Sequence, residues 1–168
     1  MVADESLITE EAKAFIGKET TLPLGEVTLR DIQRYAVAVG DMNPLYFDEE
    51  RARESAYGGI IAPPNFLTAV IHWGSGPAES ELGPDGLPPQ DELRLPLRGV
   101  TRAMGAGQEI ECRLPVRPGD RFTRVSKIVD MVEQTGRSGR FVLVTTEQRY
   151  MNQRGEVAIV CNSRFIMR

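Results

Sequence analysis

Apolar residues recur at helical spacing from Leu29 to Val39, with Leu29, Ile32, Tyr35, Ala36 and Val39 on one face. Thr28, followed three residues later by Asp31, offers a shortened capping box at the start, and Gly40 offers a stop. A shorter helix is expected over Thr9 to Ile16, capped by Thr9 and ended by Gly17, and an extended arm over Thr20 to Val27. Asp48 caps a further short helix through Arg53, which Tyr57-Gly58-Gly59 breaks. After Pro63 and Pro64, residues Phe66, Leu67, Ala69, Val70, Ile71 and Trp73 are apolar on nearly every side of a helix, so a helix from about Pro64 to Trp73 is expected to be buried on most faces.

Beyond residue 96 the period changes from helical to alternating. Five strands are predicted over 98–104, 108–116, 121–134, 140–152 and 156–167. They are separated by Gly105-Ala106-Gly107, Arg117-Pro118-Gly119-Asp120, Gly136-Arg137-Ser138-Gly139 and Asn152-Gln153-Arg154-Gly155, turn sequences at hairpin spacing. In the last strand Val157, Ile159, Cys161, Phe165 and Met167 share one face, and Asn162 and Arg164 the other. One long buried helix and a run of antiparallel strands sum to an α+β domain whose sheet curls around its helix. Residues 74–96, with Gly and Pro and no periodicity, form a long loop, either a lid, a partner-facing segment or a disordered insertion.

Composition narrows the picture further. With 168 residues, 41% of them apolar and 26% charged, the chain fits a single compact domain over 1–168. A formal net charge of −4 with interleaved signs argues against nucleic acid as a partner. No apolar run approaches the ~18 residues of a membrane span, and Met1 to Glu10 lacks the pattern of a secretory signal, so a cytoplasmic protein is expected. One histidine and two distant cysteines, Cys112 and Cys161, exclude most zinc patterns; no metal or cofactor is expected, and both cysteines read as core residues.

Candidate chemistry concentrates in Gly40-Asp41-Met42-Asn43-Pro44-Leu45-Tyr46-Phe47-Asp48 and in Gly58-Gly59-Ile60-Ile61-Ala62-Pro63-Pro64. Pro44 holds Asn43 out of the helical region, so a carboxylate is presented at a sharp turn beside a Gly/Pro-rich approach to an apolar helix. Asp41 reads equally as a turn residue bonding its own backbone and as a group acting on a substrate water.

These two stretches, with Leu114-Pro115-Val116-Arg117-Pro118-Gly119-Asp120 after them, resemble the MaoC-like hydratase/dehydratases, and more narrowly their N-terminal, fatty-acid-synthase-like dehydratase branch. The resemblance implies a hotdog fold that dimerises, and reversible hydration of 2-enoyl thioesters of coenzyme A or acyl carrier protein to (R)-3-hydroxyacyl thioesters. In catalytic members the motif reads G-D-x-N-P-L-H. The aspartate and histidine hold a water that adds to C3 while a proton goes to C2, and a backbone N–H at the helix start polarises the carbonyl.

Asp41 matches that aspartate, but Tyr46 stands at the histidine position. A phenol with a reference pKa near ~10 is protonated at neutral pH and holds a water without acting as a base. Pro63 and Pro64 remove backbone donors, leaving Asn65 and Phe66 for an oxyanion contact. Asn43, Ala62, Pro64, Asn65 and His72 are the expected substrate-binding positions; His72 reads as a partly buried structural histidine, or as a displaced base if its face points to Asp41. Arg117 and Arg121 are either a solvated face or a patch for coenzyme A phosphates.

The resemblance therefore implies a hydratase or dehydratase subunit paired with a second hotdog chain that carries the histidine. Two alternatives stand beside it: an acyl-CoA-binding homodimer without catalysis, and a homodimeric hydratase relying on Asp41. A thioesterase is disfavoured by the G-D-x-N-P signature.

Overall fold

The computed structural model describes residues 5–69, 77–83, 95–100 and 102–168. Alternating patterning after residue 102 produces most of one five-stranded sheet. Its strands are β1 (Glu19–Glu26), β2 (Ala103–Cys112), β3 (Arg121–Gly136), β4 (Gly139–Met151) and β5 (Val157–Met167). They lie in the order β1-β3-β4-β5-β2, with every neighbouring pair antiparallel. The β3–β4 and β4–β5 hairpins close at Gly136–Gly139 and Asn152–Gly155 as expected. In the second turn Asn152 Oδ1 accepts from the N–H groups of Arg154 and Glu156, and Gly155 takes φ +77°.

Three expectations for the sheet are corrected. Gly105-Ala106-Gly107 is no hairpin turn: Ala103–Gly105 and Gln108–Cys112 both pair with β5, so the chain never reverses, and the glycines absorb a register shift inside one strand. Gly107 takes φ +115° in that bulge, a conformation a side chain would strain. Residues 113–116 leave the ladder, since Arg113 and Leu114 both donate to the Ala158 carbonyl before the chain crosses the sheet end. The 117–120 turn is present but joins no neighbours: β2 lies on one edge, and β3 next to the opposite one. That turn docks instead on the β1 side, with Gly119 N–H on Val27 O and Val27 N–H on Asp120 O, both at 2.8 Å.

The helices follow their caps. In α1 (Glu10–Lys13) Thr9 accepts from Ala12 N–H, but the helix ends before the expected Ile16, because Gly17 N–H is drawn to Ile128 O on β3. In α2 (Leu29–Ala38) the box is reciprocal: Thr28 Oγ1 accepts from Asp31 N–H at 3.1 Å, and Asp31 Oδ2 from Thr28 N–H at 3.3 Å. Ile32 and Ala36 are buried and Leu29 and Tyr35 half-buried, whereas Val39 is 53% exposed. Val39 is the C-cap at ψ 0°, so helical spacing no longer sets its direction. Asp48 caps α3 (Glu49–Glu54) through the N–H groups of Glu50 and Arg51.

The helix after the prolines begins two residues later than expected, as α4 (Phe66–Ala69), with Phe66 and Leu67 buried and Ala69 exposed. The rest of the expected helix, including Val70, Ile71, His72 and Trp73, lies outside the described residues, as does most of the 74–96 loop. Within that loop, Glu79–Glu81 form one 3₁₀ turn, and Leu95 packs against the core.

Two apolar clusters sit on the inner face. One joins Ile32, Ala36, Tyr46, Phe66, Leu67 and Tyr150; the other joins Ala12, Ile128, Met131, Val142, Val144 and Met167. Cys161 is buried as expected, but Cys112 is exposed, because it ends the edge strand β2.

Candidate functional site

The site begins where α2 stops. Gly40 at φ +73° turns the chain, with Gly40 N–H on Val37 O and Asp41 N–H on Ala36 O at 2.9 Å, the paired bonds of a Schellman ending. The Asp41 carboxylate then folds over its own turn. Oδ1 accepts from Asn43 N–H at 3.2 Å, and Oδ2 accepts from the Tyr46 hydroxyl at 3.1 Å. Asn43, at ψ 129° ahead of Pro44, uses its side-chain oxygen to accept from Leu45 N–H at 3.1 Å, starting a 3₁₀ turn over Pro44–Tyr46. Asn43 and Pro44 thus shape the turn, and Tyr46 is buried beneath it, 4% exposed.

Both readings of Asp41 have a basis in this geometry. One oxygen bonds the local backbone, as in any Asx turn, while the other is tied to a side chain. A carboxylate has about four acceptor positions. Two are filled, on a residue that is half-buried.

Burial first, then the hydrogen bond to Asp41 and its negative charge, push the Tyr46 phenol up to about 12. It is a neutral donor at every physiological pH. This has a measurable consequence for stability. The unfolded phenol ionises near 10. Below that pH neither state loses the proton, and the stabilisation is complete. Between 10 and 12 the unfolded chain releases its proton first, so stability falls as pH rises through the folded value. Across that window the parent chain is expected to lose on the order of 2 kcal/mol more than Tyr46→Phe. Urea titrations at each pH measure the difference, and equal slopes for the two proteins would contradict it.

The second motif docks on the turn. Ile61 N–H donates to Leu45 O at 3.3 Å and Ala62 N–H to Val116 O at 2.8 Å, which seats Ala62 in the same apolar cluster as Tyr46 and Phe66. The Phe66 ring meets Tyr35 edge-on, centroids 5.6 Å apart. Asn65 takes φ +67°, a left-handed conformation in which asparagine is enriched, and its carbonyl accepts from Ala69 N–H. Pro64 and Asn65 lie exposed at this helix start. The expected pair of oxyanion donors is reduced, because Phe66 N–H already donates to Pro63 O at 3.2 Å. His72 lies outside the described residues.

The structure therefore brings Asp41, Asn43, Tyr46 and Ala62 together around one turn and leaves Pro64 and Asn65 at its margin. Arg121 pairs with Glu26 at 3.2 Å, and the Arg117 guanidinium donates to the Tyr57 carbonyl, clamping the Gly58-Gly59 loop. That clamp was not read from the sequence; the Pro118-Gly119 turn pointed to a surface patch, and only folding brings residue 57 to residue 117.

Residues 14–160 match the family model described as the FAS1-like, dehydratase domain region. The chain belongs to this family. Its resemblance to the MaoC-like hydratases and dehydratases and its hotdog α+β fold stand with it. Among relatives, a UPF0336 protein of Streptomyces avermitilis is 28% identical over 145 residues, 85% of each chain. A protein of Thermomonospora curvata named "Probable enoyl-CoA hydratase alpha subunit" is 29% identical over 130 residues, 75% of this chain and 40% of its own length. A chain of the ChsH1-ChsH2 complex from Mycobacterium tuberculosis superposes with a TM-score of 0.71 at 18% identity, covering 95% of this chain and 89% of that one. In this member of the family residue 46, five positions after Asp41, is a tyrosine. Among the described residues no helix is long and apolar enough to cross a membrane.

Proposed function

We propose that this chain is a subunit, lacking the catalytic histidine, of a 2-enoyl thioester hydratase, equally a 3-hydroxyacyl thioester dehydratase, and works with a second hotdog chain that carries the full aspartate and histidine set. The observation that carries this reading is the 3.1 Å hydrogen bond from a phenol held near 12 to the Asp41 carboxylate. Adding water across a conjugated double bond needs a base for the water, a proton donor for C2 and a donor for the developing enolate. Tyr46 bonds Asp41 directly and leaves no gap for a water between them, and the phenol neither takes a proton from a water at neutral pH nor gives one up readily. The missing step falls to the partner's imidazole, and this chain shapes the acyl site and stabilises the pair. A relative named as an alpha subunit and a similar chain from a two-component complex support such a division of labour.

The test is hydration of a 2-enoyl-CoA by the purified chain, alone and after co-expression with a hotdog protein bearing G-D-x-N-P-x-H. No turnover alone and turnover together is the expected result. Activity of the single chain, lost in Asp41→Asn, would replace the heteromer with a homodimeric enzyme relying on Asp41. Acyl-CoA binding without turnover in either setting would leave the non-catalytic binder.

A further inference from the structure

Between its two apolar clusters the inner face of the sheet turns polar. Strand register places Ser126, Gln148 and Cys161 side by side in one row, and Thr146, Ser163 and Gln108 in the next. Ser126, Thr146 and Ser163 are buried, while Gln148 is half-buried and Gln108 exposed, so the rows open toward the glutamines. Inside the chain these groups bond one another poorly, although Gln148 Oε1 accepts from the Tyr150 hydroxyl at 3.2 Å. Thr146 Oγ1 lies 3.5 Å from Ser163 O, the Cys161 and Ser163 side chains meet at 3.4 Å, and Cys161 Sγ lies 3.9 Å from Gln108 Oε1. Among the described residues Ser126 Oγ, on a residue 7% exposed, has no hydrogen-bond partner. Arg124, two positions earlier on the same face of β3, is engaged within the chain, and the side chains of the two rows are themselves neutral.

A buried hydroxyl without a partner is unfavourable unless something else supplies one. We propose that the two rows are a polar subsite for the acyl group, and that the thioesters this chain receives carry a neutral oxygen function, a hydroxyl or ketone, instead of a plain hydrocarbon tail. The proposal rests on the thioester reading above. Tyr150, on the same strand and face as Gln148 and Thr146, shares the cluster of Tyr46. Inward-facing residues recur every second position, so the rows lie about 7 and 13 Å along β4 from Tyr150. An oxygen toward the far end of a medium-length acyl chain reaches that distance; a short acyl group does not.

Calorimetry of the full chain with 2-dodecenoyl-CoA and with its 10-hydroxy derivative tests this. The hydroxylated thioester is expected to bind about tenfold more tightly, as for one hydrogen bond gained by an unpaired group. In Ser126→Ala and in Thr146→Val the ratio is expected to fall toward one. Thermal melting guards against misfolding: Ser126→Ala removes only an unpaired hydroxyl, so its Tm stays the same or rises. Binding of both thioesters with equal affinity overturns the subsite and leaves the thioester reading intact. Binding of neither, by the chain or by its complex with the histidine-bearing partner, overturns both.

Discussion

Replacing Tyr46 with histidine is expected to give a chain that hydrates 2-enoyl-CoA by itself, at least about 10²-fold faster than the parent. The reason lies in one buried position. Tyr46 is 4% exposed and already aims its terminal atom at Asp41 Oδ2. A free imidazole ionises near ~6.5 whereas this phenol is pushed up to about 12, so the same position passes from a donor alone to a group that works as a base at neutral pH. The shorter ring opens the 3.1 Å contact into a space where a water bridges ring and carboxylate. Loss of the conjugated thioester absorbance measures the rate. The gain should fade below about pH 6 as the imidazole protonates and should vanish when Asp41→Asn is added. A folded Tyr46→His chain that binds the thioester yet shows no gain would mean that Asp41 is only a turn residue.

The second large effect concerns stability. Phe66→Ala is expected to cost about 3–5 kcal/mol, read as a lower urea midpoint at unchanged slope. Phe66 is 1% exposed, stacks edge-on against Tyr35 of α2, and lies in the cluster that contains Tyr46 and Tyr150. Truncation leaves a cavity where α4 meets α2, and neither the Gly40 turn nor the sheet is free to collapse into it. Val39→Ala serves as the contrast. At 53% exposure it should change stability by no more than about 0.5 kcal/mol, although helical spacing alone assigns Val39 to the buried face. A loss below about 1 kcal/mol for Phe66→Ala would show that the α4 start is not part of the folded core.

That contrast shows how far the chain could be read unaided. Local chemistry was legible wherever a residue acts on its near neighbours. Thr28, Asp48 and Thr9 cap the helices they precede, Gly40 ends α2, and Pro44 forces the turn that carries Asp41. The two hairpins at Gly136–Gly139 and Asn152–Gly155 were equally plain, because turn type and strand pairing there are set within a few residues. The motif spacing around Asp41, Asn43 and Tyr46 was enough to name the family that residues 14–160 match.

Sequence by itself thus determined the caps, most of the turns, the alternating strands and the presence of a phenol at position 46. Tertiary structure alone decided what depends on partners distant in the chain. Gly105-Ala106-Gly107 has the composition of a turn, yet both flanks find the same strand, β5, and the glycines become a bulge. Cys112 is apolar enough for a core but ends an edge strand, so it is exposed. Arg117 reaches the carbonyl of Tyr57, sixty positions away, and Phe66 gives its N–H to Pro63 instead of keeping it for a substrate. The polar rows of the sheet show the same limit. Ser126, Thr146 and Ser163 are unremarkable in their own strands, and only cross-strand register makes them one surface, since the free energy of a buried hydroxyl depends on what the neighbouring strands place beside it.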